Sequence, residues 1–78
     1  MKQEFTTLAE VSLQLRVPKS KLQYYDHLGL IGSDFTAGKT RFYNKKKLLK
    51  AISFIEKEKE KGFSLQQVKE KIIFKEWK

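Results

Sequence analysis

Two short stretches carry the side chains best able to do chemistry. Leu22-Gln23-Tyr24-Tyr25-Asp26-His27-Leu28-Gly29-Leu30 combines an amide, two phenols, a carboxylate and the only imidazole of the chain with apolar residues at helical spacing. Gly38-Lys39-Thr40-Arg41-Phe42-Tyr43 follows, with two cations beside β-forming residues. These groups do not suit catalysis. A single His27, with no cysteine and no serine poised beside it, makes neither a metal site nor a nucleophile relay, and the scattered carboxylates form no acid–base pair. No catalytic residue, metal site or cofactor is expected, and the chain reads as not an enzyme. What the groups can do is bind. A polar helix face beside a basic hairpin makes a two-pronged grip on a nucleic acid backbone.

The charge distribution supports that grip. The chain has 78 residues and a net charge of +8. Residues 1–15 contribute −1 and residues 51–78 contribute +2, whereas residues 16–50 carry nine cations against Asp26 and Asp34, giving +7. The excess positive charge therefore lies on the segment that holds both stretches, the footprint expected of phosphate binding by counterion release. A lysine-rich solubilising surface is the plain alternative. The Lys45-Lys46-Lys47 run and the sign-alternating Glu56-Lys57-Glu58-Lys59-Glu60-Lys61 segment both read as solvated helix faces.

A chain this short buries only about 60–65 % of its unfolded surface, so its core is modest, and no cysteine is present to brace it. The amino terminus lacks the apolar run of a signal peptide and no stretch is long enough to span a bilayer. The expectation is a soluble cytoplasmic, nucleoid-associated protein without membrane contact.

The elements that must position the two stretches read as helix, helix, hairpin, helix, helix within one domain spanning 1–78. Thr7-Leu8-Ala9-Glu10 is a capping box, with Thr7 capping and Glu10 reaching back, and opens a helix over about 7–15. After the turn at Arg16-Val17, Pro18 suits the first position of a second helix over about 18–28. Two short helices joined so tightly form a helix-turn-helix pattern. At ~100° per residue, Leu22 and Tyr25 fall on one side of that helix while Ser20, Gln23, Tyr24 and His27 fall opposite, so Tyr25 should face the core and Tyr24 solvent. Gly29 reads as the residue that ends this helix. Leu30 to Tyr43 suits a β-hairpin wing over about 31–43, turning at Thr36-Ala37-Gly38-Lys39. Asn44 caps a third helix over about 44–61, closed by Gly62, and Ser64-Leu65-Gln66-Gln67 opens a fourth over about 65–75. Trp77 is expected to pack back on the body or to meet a further segment.

In this order and spacing, the Thr7-Leu8-Ala9-Glu10-Val11 opening, the Leu22–Leu30 stretch, Arg41-Phe42-Tyr43 and Gly62-Phe63-Ser64-Leu65 resemble the DNA-binding domain of MerR-family transcription regulators. The resemblance covers about residues 5–73 and implies a mainly α, winged helix-turn-helix fold. It further implies sequence-specific binding of double-stranded DNA in transcription regulation, with the second helix in the major groove and the wing on the flanking backbone. By position, the groove-facing residues are Lys19, Ser20, Gln23 and Tyr24, with Lys21 and His27 at the edges. Arg41 matches the family's wing arginine, Lys39 lies just before it, and Arg16 in the turn is a further phosphate contact. RNA polymerase is an implied partner of a full-length regulator.

The departures from the family pattern are informative. Gln23 stands where the family usually has arginine, and an amide pairs bidentately with adenine rather than guanine. Phe35 stands where a second wing arginine is common, Pro18 replaces a capping serine, and Glu58 falls at a usually apolar position, where a helix contact is expected to be missing. The sequence closes at Lys75-Glu76-Trp77-Lys78, without the long dimerising helix by which family regulators continue. It reads either as an excised domain, which would form a homodimer through that extension, or as a free-standing protein acting as a monomer or in cooperative assembly on DNA. Two alternative functions stay open: a small excisionase-like DNA-bending directionality factor, and a protein-interaction module whose basic face meets an acidic partner.

Overall fold

The computed structural model describes residues 4–73. Its elements run β1 (Phe5–Thr6), α1 (Leu8–Leu15), α2 (Lys19–His27), β2 (Phe35–Ala37), β3 (Thr40–Asn44), α3 (Lys45–Glu60) and α4 (Leu65–Ile73). The Trp77 expectation and the last residues of the fourth helix as expected lie outside the described residues. Among those described, no helix is long and apolar enough to cross a membrane.

Local chemistry starts and stops the helices. The Thr7 hydroxyl accepts the Glu10 N–H at 3.3 Å, satisfying one of the unpaired donors of the first turn. Glu10 does not reach back to Thr7 as expected. Its carboxylate instead accepts the Thr6 hydroxyl at 3.1 Å, because Thr6 is drawn into the sheet and buried and its hydroxyl needs a partner there. Pro18 stands one position earlier than expected, at the N-cap of α2, with no side-chain cap. Its carbonyl accepts the N–H groups of Lys21 at 3.0 Å and Leu22 at 3.4 Å. At the far end of α2, Gly29 adopts φ +83°, and the N–H groups of Gly29 and Leu30 close on the carbonyls of Asp26 and Tyr25 at 3.0 and 2.9 Å. This bond pair is the left-handed glycine cap that turns the chain out of a helix. Asn44 caps α3 by accepting the Lys47 N–H at 3.1 Å. Ser64 and Gln67 cap α4 reciprocally, at 2.9 and 3.2 Å.

The wing belongs to a three-stranded antiparallel sheet in the order β1-β3-β2, not to an isolated hairpin. β1 was not expected, since two residues show no periodicity and its partner is distant in sequence. It pairs Phe5 with Asn44 and Thr6 with Tyr43. The hairpin is tighter than expected: Ala37 pairs with Thr40, leaving only Gly38-Lys39 as its turn. Gly38 has φ +64°, the left-handed geometry required at the first central position of such a two-residue loop. On one face of the sheet Phe35 stacks on Phe42 at 5.1 Å and meets Phe5 edge-on at 5.0 Å. These aromatic contacts bind the three strands across their register.

The other face of β3 turns Tyr43 into the core, where it joins Val11 of α1, Leu22 and Tyr25 of α2, Ile55 of α3 and Val68 of α4, all essentially without exposure. α3 is the element under which the rest assembles, presenting Leu48, Ala51, Ile52 and Ile55 along one buried stripe.

Glu58 corrects the expectation that residues 56–61 form a solvated face. Its side chain is only 7 % exposed, and its carboxylate pairs with Lys71 of α4 at 2.8 Å and with Lys61 at 3.5 Å. The Lys71 ammonium also sits 3.4 Å from the centre of the Phe63 ring. An ionic clasp between α3 and α4 thus occupies the place where an apolar contact was expected to be missing. The hydrogen bond from Lys71 holds the Glu58 carboxyl below its ordinary value of 4.5, against the opposing effect of burial. A carboxyl lowered in the fold stabilises fully above its unfolded pKa and loses that contribution as pH falls through the folded one. Thermal melts of the parent and Glu58→Gln should therefore differ most above about pH 4.5 and converge as the pH is lowered further. A difference that is constant with pH would contradict the clasp.

Candidate nucleic-acid interface

The face of α2 opposite the core gathers five of the residues singled out from the sequence. Lys19, Ser20, Gln23, Tyr24 and His27 are all exposed, and none of their side chains has a hydrogen-bond or ion-pair partner among the described residues. The neighbouring tyrosines part as expected, with Tyr24 52 % and Tyr25 1 % exposed. Spacing causes this division: Leu22 and Tyr25 lie three apart and point inward together, which leaves the remaining positions to solvent. The Tyr25 hydroxyl donates to Glu56 of α3 at 3.4 Å. Burial first, and then the Glu56 charge, push the Tyr25 phenol upward.

Lys21 does not join that face. Its ammonium is paired with Glu56 at 3.0 Å and lies 6.0 Å from the centre of the Tyr25 ring. The bond to Glu56 raises its pKa despite partial burial. Being four residues from Tyr25, it sits over the core side of the helix and braces α2 against α3.

The wing residues are divided between its tip and its inner face. Lys39 is exposed in the turn. Arg41 and Tyr43, two apart on β3, project to the same side of the sheet and meet Asp26 of α2. One oxygen, Asp26 Oδ2, accepts the Tyr43 hydroxyl at 2.5 Å and Arg41 Nη1 at 3.0 Å. The arginine remains 62 % exposed while the carboxylate is 14 % exposed, so the guanidinium is anchored from within and open outward. Its hydrogen bond to Asp26 raises its already high pKa. Arg16, in the turn between α1 and α2, is exposed and adopts φ +57°, the only non-glycine with positive φ among the described residues. Of the Lys45–Lys47 run, Lys45 faces Glu4 at 3.7 Å, and Lys46 and Lys47 are exposed. Phe35 is 44 % exposed and spends its ring on the sheet.

Sequence reasoning missed Asp26 and Tyr43 as members of this arrangement. A usable signal existed: alternation puts Arg41 and Tyr43 on one face of the strand, and Asp26 is the only acid between residues 16 and 33. No group of three potential metal-binding side chains occurs among the described residues.

An exposed helix face without partners, packed by a tight turn onto a preceding helix and flanked by a basic hairpin, defines a winged helix-turn-helix protein. Comparison with protein families matches residues 6–72 to the MerR HTH family of regulatory proteins. The chain belongs to that family. Among solved structures it is similar to a transcriptional regulator of the MerR family from Bacillus cereus, with a TM-score of 0.78 and 29 % identity over 96 % of this chain. The match covers 56 % of that regulator's chain. A search of curated proteins found no match. Membership of this family supports, in general terms, DNA binding in transcription regulation, a role that is not typically enzymatic.

The Tyr43 phenol is pushed up to about 12 by burial and by its hydrogen bond to the Asp26 carboxylate. Ionisation is thus disfavoured in the fold, so this stability is full below the unfolded value of 10 and lost as the pH rises toward about 12. In an ultraviolet phenolate titration, Tyr43→Phe should remove the highest inflection, near 12. Its persistence in that variant would disprove the assignment.

Proposed function

We propose that residues 4–73 act as one unit that binds double-stranded DNA sequence-specifically in transcription regulation. In this reading α2 enters the major groove and the β2–β3 hairpin lies on the flanking backbone. The observation that carries it is the outward face of α2, whose polar side chains have no internal partners, set beside a wing arginine tied to the same helix. Gln23 and Tyr24 stand at the centre of that face and are assigned to base edges. Lys19, Ser20 and His27 lie around them and are assigned to backbone or groove-edge contacts. Lys39 and Arg41 are assigned to phosphates beside the groove.

Arg16 supports the reading from a second direction. A residue with a Cβ is disfavoured at positive φ, where glycine fits without strain. A cation kept at such a position beside the helix-turn-helix turn suits contact with a phosphate better than it suits the fold. Lys21 is left out of the DNA-binding set because its charge is engaged by Glu56. A single small module of this type binds a half-site weakly, so useful occupancy calls for a dimerising partner or for adjacent copies along the DNA.

Gel-shift titrations over a salt series test the proposal. The unaltered chain should bind duplex DNA with affinity that falls steeply as salt rises. Arg41→Ala should weaken binding at a preferred site and reduce the log–log salt slope there by about one. Gln23→Ala should cost about 1–3 kcal/mol at a preferred site and relax base choice there. Arg16→Gly should keep the melting temperature or raise it while weakening DNA binding, which separates a functional cation from a structural one. Salt-insensitive binding, or none, would overturn the proposal.

A further inference from the structure

We propose that Asp26 is a positioning residue, which fixes the wing arginine relative to α2 and so exchanges raw affinity for discrimination between DNA sequences. The inference rests on the DNA-binding reading above. Asp26 is a negative charge placed within the most basic segment of the chain, next to His27 on the helix assigned to the groove. On electrostatics alone it is a liability, since a carboxylate near the interface repels phosphate and weakens association with any duplex. Its geometry supplies the compensation. One oxygen receives both Tyr43 Oη and Arg41 Nη1, and Tyr43 is immobilised, with its residue 1 % exposed in the core. Through that oxygen the exposed guanidinium is referenced to the core and to α2 together. An arginine has five donors in a rigid fork, so fixing one of them at Asp26 sets the direction of those left for phosphate.

A wing arginine held in this way can reach its phosphate only when α2 sits in a particular register in the groove. Base contacts by α2 and the backbone contact by the wing then become coupled, because both must be satisfied by one placement of a rigid body. An untethered arginine would follow a phosphate over many placements and add the same affinity to all sequences. Preorganisation of this kind reduces the ordering cost of the correct complex and withholds the contact from incorrect ones.

The charge and the tether predict opposite outcomes on removing the carboxylate. Asp26→Asn keeps the shape and leaves the side-chain carbonyl able to accept the Tyr43 hydroxyl, but it abolishes the charged bond to Arg41. Binding would be measured against a random-sequence duplex pool and against a duplex enriched from that pool by the unaltered chain. For Asp26→Asn we expect affinity for the random pool to hold or rise, while the preference for the enriched duplex falls about tenfold, the size of one good directional contact. In the Asp26→Asn background, Arg41→Ala should then remove little further preference, since the two act as a unit. Tyr43→Phe retains the charge and loosens only the carboxylate, and should lower the preference about two- to threefold, part of the worth of one hydrogen bond to a charged group, with random-pool affinity unchanged. It serves as the test should Asp26→Asn not fold by circular dichroism. A uniform gain for Asp26→Asn on both duplexes, or an unchanged preference in either variant, overturns the positioning role while leaving DNA binding intact. Failure of the unaltered chain to bind either duplex overturns both proposals.

Discussion

The placement of the wing against α2 depends on a single carboxylate oxygen. Asp26 Oδ2 joins a helix to a strand that begins fourteen residues later, beyond the α2–β2 loop and strand β2. Around it, the apolar contacts of Leu22, Tyr25 and Tyr43 supply most of the stabilisation. Each such side chain contributes about 1.5–3 kcal/mol on full burial, but apolar contact has no direction. The hydrogen bonds at Asp26 do have direction, and they convert general adhesion into one defined angle between helix and sheet. Asp34 reinforces the base of the same hairpin: its carboxylate accepts the Asn44 N–H at 2.6 Å, and its own N–H donates to the Phe42 carbonyl at 2.8 Å. The two acids of the most basic segment are thus both spent on fixing the wing.

The same economy recurs on the far side of the molecule. Glu56 and Glu58, two residues apart on α3, each engage a lysine on a different neighbouring helix: Lys21 of α2 and Lys71 of α4. The bond at Glu58 is the more buried and needs both lysines and the Phe63 ring to offset its desolvation, since an ion pair stripped of water stabilises only when its geometry and remaining contacts are good. Acidic side chains across the described fold therefore work mainly as internal connectors. That leaves Lys19 on the α2 face, Arg16 in the helix-turn-helix turn and Lys39 at the wing tip exposed and without an acidic partner among the described residues.

The order of elements was legible in the sequence because it is written in local signals. Thr7, Asn44 and Ser64 with their partners three residues on announce helix starts, and Gly29 and Gly62 announce the ends. The separation of Tyr24 from Tyr25 was equally legible, since helical periodicity alone decides it. What could not be read were links between residues far apart in the chain. β1 is two residues long and exists only because β3 is there to pair with it. Lys21 lies by angle between the core side of α2 and its outward stripe, and its pairing with Glu56 on α3 could not be read from the sequence. The alternating charges of residues 56–61 look solvated in one dimension, yet the three-dimensional approach of α4 buries Glu58. Arg41 was identifiable as a cation in a hairpin, whereas its anchor required knowing which face of β3 meets α2.

Whether α2 and the wing meet DNA as one surface is tested most directly by a nuclear magnetic resonance titration of the isotopically labelled chain with a short duplex. The predicted result is a joint set of amide shifts at Lys19–His27 and Gly38–Arg41, with Arg16 included, saturating at one common stoichiometry. Shifts confined to α3 and α4, or wing and helix residues that respond at different DNA concentrations, would contradict it.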